Sequence, residues 1–389
     1  MRIIFVLTSE FPAEKAYGIT TKKSMLACSD LAHEVFSISL PVDLVKDLSS
    51  NFLQMIKFFE KNRLIKFLLK ISYTGYGKIS ILSWILMEKF LIQTNRENLK
   101  NLDADLFWCR DPKVALLLIE NFPQINVILE VHNPISPKVM KKIRNCKNQE
   151  KLILAPINSM ISNSIKSLNE KYSIVEAPMS IDSLLLQNSQ QIKLFVNRLT
   201  ERKKNNNLEV GYIGKFFPSG ISKGYEDIIH LALLNKVKKL HFKMHLIGGT
   251  AREVAHAGVL INELGMNSRD INLGPHIPHD AILEFAKSLD VIILPKPRDT
   301  NYFGTPLKAL ETCALGRIVV AADCPVNRAL FGDRDFIFWY ESENISSLID
   351  AIERAINDES LELKIQDEVN FASFHTWEKR VSQVLMTLD

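Results

Sequence analysis

The sequence predicts an α/β protein with two parallel sheets covered by helices, and three observations lead to this prediction. Short apolar runs bounded by turn residues alternate with longer amphipathic segments along the whole chain, as in helix-covered parallel sheets. The chain of 389 residues is too long for one ordinary core and suits two domains of about 180–200 residues. A polar, charged stretch at 198–207 separates two such series of runs. We therefore predict two Rossmann-like domains that face each other across a cleft.

The first series of runs predicts an N-terminal domain that covers residues 1–197. A long insertion at 43–100, between the second and third runs, is predicted to be mostly helical. The predicted strands of this domain are 2–8, 34–40, 106–110, 126–132, 152–156 and 172–178.

The stretch "RLTERKKNNN" at 198–207 is interpreted as a linker because it is polar and charged. A second series of apolar runs follows it and predicts a C-terminal domain over 208–374. The predicted strands of this domain are 208–214, 241–248, 270–275, 291–295, 317–323 and 336–340.

Composition excludes several classes of protein. With 47% hydrophobic and 24% charged residues the chain is globular, and its formal net charge of +4 is mild, so no nucleic-acid partner is expected. Its five cysteines are scattered without a Cys-x-x-Cys pair, which indicates a reducing compartment and no thiolate metal site. The N-terminal apolar run is too short for a signal peptide, and the longest apolar stretch, 79–87, is too short to span a bilayer. We expect a cytoplasmic protein, at most peripherally attached to the inner face of the plasma membrane.

Ligands of open α/β sheets bind beyond the carboxyl ends of the strands, so the residues that follow each strand are the candidates. The first strand of the second series is followed by a glycine-containing loop, 214–224, with Lys215 and Lys223, and then by a helix. Two cations beside a helix N-terminus suit a diphosphate. The alternative is that both lysines are simply solvated.

A second candidate follows the fourth strand of the same series, where Gly304, Thr305 and Pro306 precede a predicted helix. Proline suits the first turn of a helix, and the free amides there would point toward the same phosphates. Glu311, about one turn further on, is predicted to accept hydrogen bonds from ribose hydroxyls. The alternative is an ion pair between Glu311 and Lys308 on the helix surface.

Together these segments resemble the retaining GT-B glycosyltransferases, in particular the family 4 type (glycosyl transferases group 1), which uses nucleotide-diphosphate sugars. "GYIGKFFPSGISKG" (211–224) is similar to the Gly-x-x-Gly-Arg/Lys…Lys-Gly loop of that family, and "TPLKALETCALG" (305–316) is similar to its Ser-Pro-Leu-Lys-x-x-Glu-x-x-Ala-x-Gly element. "HLIGG" (245–249) matches its second C-domain strand. The donor-binding residues implied by the resemblance are Gly18, Gly214, Lys215, Lys223, Gly304, Thr305, Pro306, Leu307, Lys308 and Glu311.

Segments outside the C-terminal series extend the resemblance. Residues 10–35 are similar to the glycine loop and first helix of the family, which implies that Gly18 approaches the diphosphate. "EVHNP" (130–134) is similar to a segment whose histidine reaches the transferred sugar, although a histidine at a strand end is more often structural. "FHTWEKRVSQVL" (374–385) is similar to the closing helix of the family, which implies that 375–389 packs back on the N-terminal domain. The implied catalytic residues are Lys215, Lys223, His132 and Glu311.

The activity implied by the resemblance is transfer of a sugar from a UDP- or GDP-sugar to a glycan or lipid-linked glycan, with retention of anomeric configuration. No metal or other cofactor is expected, and the implied role is bacterial surface polysaccharide synthesis. Phe303 occupies the position where many members carry the first of two glutamates, which weakens a mechanism with paired carboxylates. The sequence leaves two alternatives open: a sugar-nucleotide epimerase or hydrolase on the same frame, and a catalytically silent nucleotide-sugar-binding partner.

The insertion supports a prediction about membranes, because "FLQMIKFFEKNRLIKFLLKIS" (52–72) mixes apolar and basic residues at roughly helical spacing. Each basic residue near an anionic surface contributes about 1 kcal/mol to binding. We expect sedimentation with anionic but not neutral liposomes, lost when Lys57, Lys61, Arg63 and Lys66 are changed to glutamine. Equal partitioning of wild type and the quadruple variant would instead indicate a helix packed within the N-terminal domain.

Overall fold

In a computed structural model the chain forms two α/β units, each built on a six-stranded parallel sheet. The first unit comprises Met1–Ala177 with Val381–Asp389, and the second comprises Pro178–Arg380. The residues that the structure describes are 1–7, 16–39, 104–167, 173–217, 221–297 and 307–388.

The sheet of the first unit has the strand order β2-β1-β3-β4-β5-β6, and all its pairings are parallel. Its central strands carry mostly apolar, buried side chains, as is typical of parallel sheets covered by helices. These strands confirm the six predicted from the first series of apolar runs. They are β1 (Arg2–Leu7), β2 (Glu34–Ser39), β3 (Leu106–Cys109), β4 (Asn126–Val131), β5 (Leu152–Pro156) and β6 (Ser173–Ile174).

Local signals set the beginnings of the helices in the first unit. The carboxylate of Asp111 accepts a hydrogen bond from the amide of Lys113 at 2.7 Å, and Pro112 takes the first helical position. The side chain of Asn158 accepts in the same way from the amide of Ile161, at 3.0 Å. The helices are α1 (Ala16–Asp30), α2 (Pro112–Asn121), α3 (Pro137–Arg144) and α4 (Ser159–Lys166).

The sheet of the second unit has the order β12-β11-β10-β7-β8-β9, again all parallel, and confirms the six strands predicted from the second series. Its strands are β7 (Leu208–Ile213), β8 (Phe242–Gly249), β9 (Asn272–Pro275), β10 (Val291–Leu294), β11 (Ile318–Asp323) and β12 (Ile337–Glu341). Its helices are α5 (Ser189–Lys204), α6 (Glu226–Lys238), α7 (Ala251–Glu263), α8 (His279–Ser288), α9 (Leu307–Ala314), α10 (Pro325–Phe331), α11 (Ile345–Ile356) and α12 (Leu361–Ser373). The last helix, α13 (Trp377–Leu385), begins in the second unit and ends in the first.

The predicted linker at 198–207 is largely helical, since α5 continues to Lys204, and the units divide at Pro178 rather than after residue 197. Two arginines of this stretch have partners within the second unit. The guanidinium groups of Arg198 and Arg202 lie 3.3 and 3.0 Å from the buried carboxylate of Asp290. A charged pattern that suggested a solvated connection thus marks one face of a packed helix.

Several predicted features lie outside the described residues. They are the insertion 43–100, its basic apolar stretch, and Gly304, Thr305 and Pro306. Among the helices that the structure describes, none is long and apolar enough to cross a membrane.

Two glycines let the carboxyl ends of β7 and β8 approach each other closely. Gly248 has a φ of +121°, and a Cβ at this position would lie 2.6 Å from the carbonyl oxygen of Gly214. At Gly249 a Cβ would lie 2.6 Å from the ring of Phe216. The loop after β7 therefore packs directly on the end of β8, which fixes where this loop begins.

We expect Gly248→Ala to lower the free energy of unfolding by about 3 kcal/mol, because the new methyl group meets backbone atoms and the φ is unfavourable. Gly265→Ala is the matched control: its φ is +69°, but a Cβ there meets nothing within 4 Å. This control should cost only about 1 kcal/mol. Urea unfolding of both variants measures the difference, and equal losses would show that the close approach is not tight.

Candidate functional site

Three lysines from three separate segments meet at the carboxyl ends of the second sheet. Lys223 lies in the loop between β7 and α6, Lys296 follows β10, and Lys308 lies in the first turn of α9. Because β7 and β10 are neighbours in the sheet, the segments that follow them lie side by side. Burial lowers the pKa of Lys223 to about 5, and the nearby charges of Lys296 and Lys308 act in the same direction.

The loop before α6 is folded so that Lys223 reaches this position. The amide of Lys223 donates to the carbonyl of Phe216 at 2.9 Å, and the amide of Gly224 donates to the hydroxyl of Ser222 at 3.0 Å. Gly224 has a φ of +76°, and a Cβ there would lie 3.0 Å from the backbone nitrogen of Lys296. The loop thus packs directly against the segment that follows β10.

The aromatic ring of Tyr212 contacts Lys308, the third lysine of the cluster. The ammonium of Lys308 lies 3.5 Å from the ring centroid of Tyr212, in a cation–π contact. The hydroxyl of Tyr212 donates to the carbonyl of Lys215 at 2.7 Å. Gly214, with a φ of +144°, leaves room for this arrangement, since a Cβ there would lie 2.9 Å from the Lys308 ammonium. The ring contacts the ammonium group but carries no negative charge that would neutralise it.

Burial opposes the charge of all three ammonium groups. It is the main cause that lowers the pKa of Lys296 and of Lys308, and for Lys308 the charge of Lys296 adds to it. Cations brought together away from water are unfavourable until an anion joins them. A group with several negative oxygens, such as a diphosphate, is the natural complement of this cluster.

Lys296 is a candidate site residue that sequence reasoning missed. Its side chain is only 4% exposed, and it stands two residues after the end of β10. The rule that ligand-binding residues follow strand ends would have drawn attention to it. Its proximity to Lys223 depends on the pairing of β7 with β10, which the sequence does not reveal.

Glu311, the predicted partner of ribose hydroxyls, lies beside His279 at the start of α8. The Nε2 of His279 is 2.7 Å from Oε1 of Glu311, and Glu311 is buried. This hydrogen bond raises the pKa of His279, and the charges of Asp280 and Asp182 contribute, while burial opposes the rise. The alternative of an ion pair between Glu311 and Lys308 is wrong, because the two side chains take different partners.

The remaining predicted donor residues have different surroundings. The side chain of Lys215 is exposed, while its backbone carbonyl adjoins Tyr212. Leu307 is half-buried as the first residue of α9. Gly18 was expected in a loop, but it is buried in the first turn of α1, since the helix already begins at Ala16.

His132, the predicted sugar contact, belongs to a charged cluster in the first unit. Its Nε2 lies 2.6 Å from Oε1 of Glu130, which also accepts from the Arg110 guanidinium at 2.9 Å. The indole of Trp108 donates to the other oxygen of Glu130 at 3.1 Å, and Arg110 donates to Thr20 in α1 at 2.9 Å. Glu130, which sequence reasoning also missed, is 1% exposed and orients the histidine ring. The spacing of two residues at the end of the predicted strand 126–132 was the available signal, because such residues share a face of a strand.

A cavity of about 560 Å³ elsewhere in the second unit has no comparable excess of one charge. Within it Arg328 pairs with Asp333 at 2.6 Å and Lys364 pairs with Asp358 at 2.7 Å. The described parts of the chain contain no group of three or more His, Cys, Asp and Glu residues arranged to hold a metal ion. The lysine cluster is therefore the strongest candidate for an anion-binding site.

Comparison with solved structures identifies the fold. The fold is that of the GT-B glycosyltransferases, as in a glycosyltransferase from Rickettsia africae ESF-5 (TM-score 0.66, 17% identity, 99% of this chain and 97% of that one). HepE from Anabaena in complex with UDP is also similar (TM-score 0.61, 15% identity, 100% and 99% covered). So is a sucrose-phosphate synthase from Thermosynechococcus elongatus (TM-score 0.66, 12% identity, 100% and 98% covered).

Residues 197–370 match the family described as glycosyl transferases group 1. This match covers most of the second unit and agrees with the resemblance found in the sequence. The search of curated proteins finds no match.

A buried cation that assists ligand binding should lower the free energy of unfolding of the protein without ligand. We expect Lys296→Met to raise the free energy of unfolding at pH 7 by about 1 kcal/mol, because it keeps the apolar stem and removes the buried charge. The folded state lowers the pKa of Lys296, so folding releases protons and the wild type gains stability as the pH rises toward 10. The gain from Lys296→Met should therefore shrink in alkaline solution.

Thermal unfolding at pH 7 and pH 10 measures the effect of this substitution. Lys238→Met, at an exposed position of α6, is the matched control and should change little at either pH. A loss of stability with Lys296→Met at pH 7 would show that the ammonium group supports the fold.

Proposed function

We propose that the chain is a glycosyltransferase that moves a sugar from a nucleoside-diphosphate sugar to a glycan or lipid-linked glycan acceptor. The observation that carries this proposal is the cluster of Lys223, Lys296 and Lys308 at the carboxyl ends of the second sheet. The family match of the second unit supports it. Similar folds include HepE from Anabaena in complex with UDP-glucose and an Escherichia coli protein bound with UDP-2-fluoro glucose, which favours a UDP-sugar as donor, with a GDP-sugar as the other candidate.

In the proposed mechanism the lysine cluster binds the diphosphate of the donor. As the bond between the anomeric carbon and the diphosphate oxygen breaks, negative charge grows on the leaving group. Fixed cations placed where charge develops stabilise the transition state more than the ground state. The amides around Thr305 and Leu307 would add donors to the same oxygens. This scheme requires neither a metal nor another cofactor.

We further propose that the anomeric configuration is retained. The acceptor hydroxyl enters on the face that the diphosphate leaves, forms the new C–O bond, and passes its proton to the departing phosphate oxygen. This route needs no side-chain nucleophile, which agrees with Phe303 at the position of the first family glutamate. Glu311 then binds the ribose of the donor rather than the reacting carbon.

His132 is proposed to contact the transferred sugar from the first unit. Its ring is held by the buried carboxylate of Glu130, so its orientation is fixed before any ligand arrives. A preorganised polar group costs less to bring into contact with a sugar hydroxyl than a mobile one does.

The acceptor side of the proposal rests on the sequence alone. We propose bacterial surface polysaccharide synthesis on the inner face of the plasma membrane, with the basic apolar stretch 52–72 resting on anionic lipid. The liposome experiment described above tests this part without reference to the donor site.

Donor binding tests the central proposal. We expect Lys223→Ala and Lys296→Ala each to weaken binding of UDP or GDP by about 10- to 100-fold, because each removes a charge-assisted hydrogen bond. Lys215→Ala should cost less, since its side chain is exposed. Calorimetric titration measures the affinities, and Lys238→Ala is the control. Unchanged affinity in a folded Lys223 or Lys296 variant would remove that lysine from the site.

Nucleotide release separates the possible activities of a protein that binds the donor. A transferase releases the nucleoside diphosphate from its donor only when a glycan or lipid extract is added. Release without acceptor would indicate a hydrolase, a changed donor without release would indicate an epimerase, and binding without turnover would indicate a silent partner. A chelator should have little effect on transfer, and a strict requirement for Mg²⁺ or Mn²⁺ would contradict the lysine-based scheme.

A further inference from the structure

The contact between His279 and Glu311 joins two helices of the second unit that are distant in sequence. His279 is the first residue of α8, and Glu311 lies in the middle of α9. Their Nε2 and Oε1 atoms are 2.7 Å apart. The two side chains differ in exposure, since 38% of the histidine side chain but only 11% of the glutamate side chain is open to solvent.

The burial of Glu311 explains why this partner matters. Residues of α9 on either side of it, Leu310 and Thr312, are also buried, so the helix is tightly packed around the carboxylate. A carboxylate in such surroundings is costly unless a hydrogen bond satisfies it. The bond from His279 meets this need and also restricts the rotation of the carboxylate group.

A carboxylate has two oxygens, and His279 is hydrogen-bonded to Oε1. We propose that His279 is a positioning residue for ribose recognition: it holds Oε1 of Glu311, so that Oε2 accepts a hydrogen bond from a ribose hydroxyl of the nucleotide. This inference rests on the proposed function, because it assumes that the second unit binds a nucleoside diphosphate.

The charges around His279 predict how this role depends on pH. The acidic groups that act on the imidazole are Glu311 from α9, Asp280 from α8 and Asp182 from the segment before α5. They raise its pKa, so the imidazolium persists to a higher pH than in an ordinary histidine. Loss of this proton as the pH rises through the raised pKa weakens the hold on Glu311. The ribose contribution to affinity should therefore decline in the same pH range.

The experiment compares UDP and GDP with their 2′,3′-dideoxy counterparts by calorimetric titration. For the wild type we expect the ribonucleotide to bind about tenfold more tightly than its dideoxy counterpart, because the latter lacks a hydrogen bond to a charged group. Glu311→Ala should abolish this preference. His279→Leu should reduce it to nearly the same extent, while affinity for the dideoxy nucleotide, which relies on the lysines, stays close to that of wild type.

His279→Gln provides the conservative rescue. Its amide places an N–H donor near the position of Nε2 but does not titrate. This variant should keep most of the preference for ribose, and that preference should not decline as the pH rises above 6.5, the ordinary pKa of histidine. His241→Gln, directly before β8 and therefore at the opposite end of the strands, is the control and should behave like wild type.

Each outcome has a separate meaning. Failure of wild type to bind either nucleotide would overturn the proposed function. Binding with a ribose preference that survives Glu311→Ala would remove Glu311 from ribose recognition and overturn the inference. Loss of the preference with Glu311→Ala but not with folded His279→Leu would leave His279 without a positioning role. If His279→Leu does not fold, the test rests on His279→Gln. A ribose preference of His279→Gln that depends on pH in the same way as that of wild type overturns the inference.

Discussion

The feature on which the site depends is the meeting of three lysine side chains where two neighbouring parallel strands end. Lys223 and Lys296 follow β7 and β10, which pair directly, and Lys308 completes the cluster from α9. Because burial opposes their charges, the surrounding fold must hold these side chains against an electrostatic cost. Gly214 and Gly224 have no side chains. The ammonium group of Lys308 can therefore lie close to Gly214, and the backbone of Lys296 can lie close to Gly224. Under the proposed function this cost is offset when the diphosphate of the donor binds.

Much of the scaffold of this site could be predicted from the sequence, because buried parallel strands leave a clear apolar signal. Both series of strands were found at their observed places. The order of the strands within each sheet leaves no such signal, so the proximity of Lys296 to Lys223 could not be predicted. The charged stretch 198–207 was misinterpreted for a related reason: Asp290, the buried partner of Arg198, is distant in sequence.

Lys308 and Glu311 show that sequence spacing does not predict side-chain partners even within one helix. Their spacing correctly indicates neighbouring positions on α9, and from spacing alone an ion pair between them is reasonable. In the structure the ring of Tyr212 and the imidazole of His279 supply other partners. Helical periodicity predicts the face of the helix from which a side chain projects. The partner of that side chain depends on which other segments pack against the helix.

The charged clusters of the two units differ in composition. In the first unit Glu130 accepts hydrogen bonds from Trp108 and Arg110 and lies 2.6 Å from His132, so a carboxylate stands among donors. In the second unit three lysine ammonium groups come together, and burial opposes the charge of each. Oriented donors and acceptors of the first kind suit the neutral hydroxyls of a sugar. Under the proposed function the lysine cluster binds the anionic part of the nucleotide sugar, since ammonium groups form charge-assisted hydrogen bonds with a diphosphate.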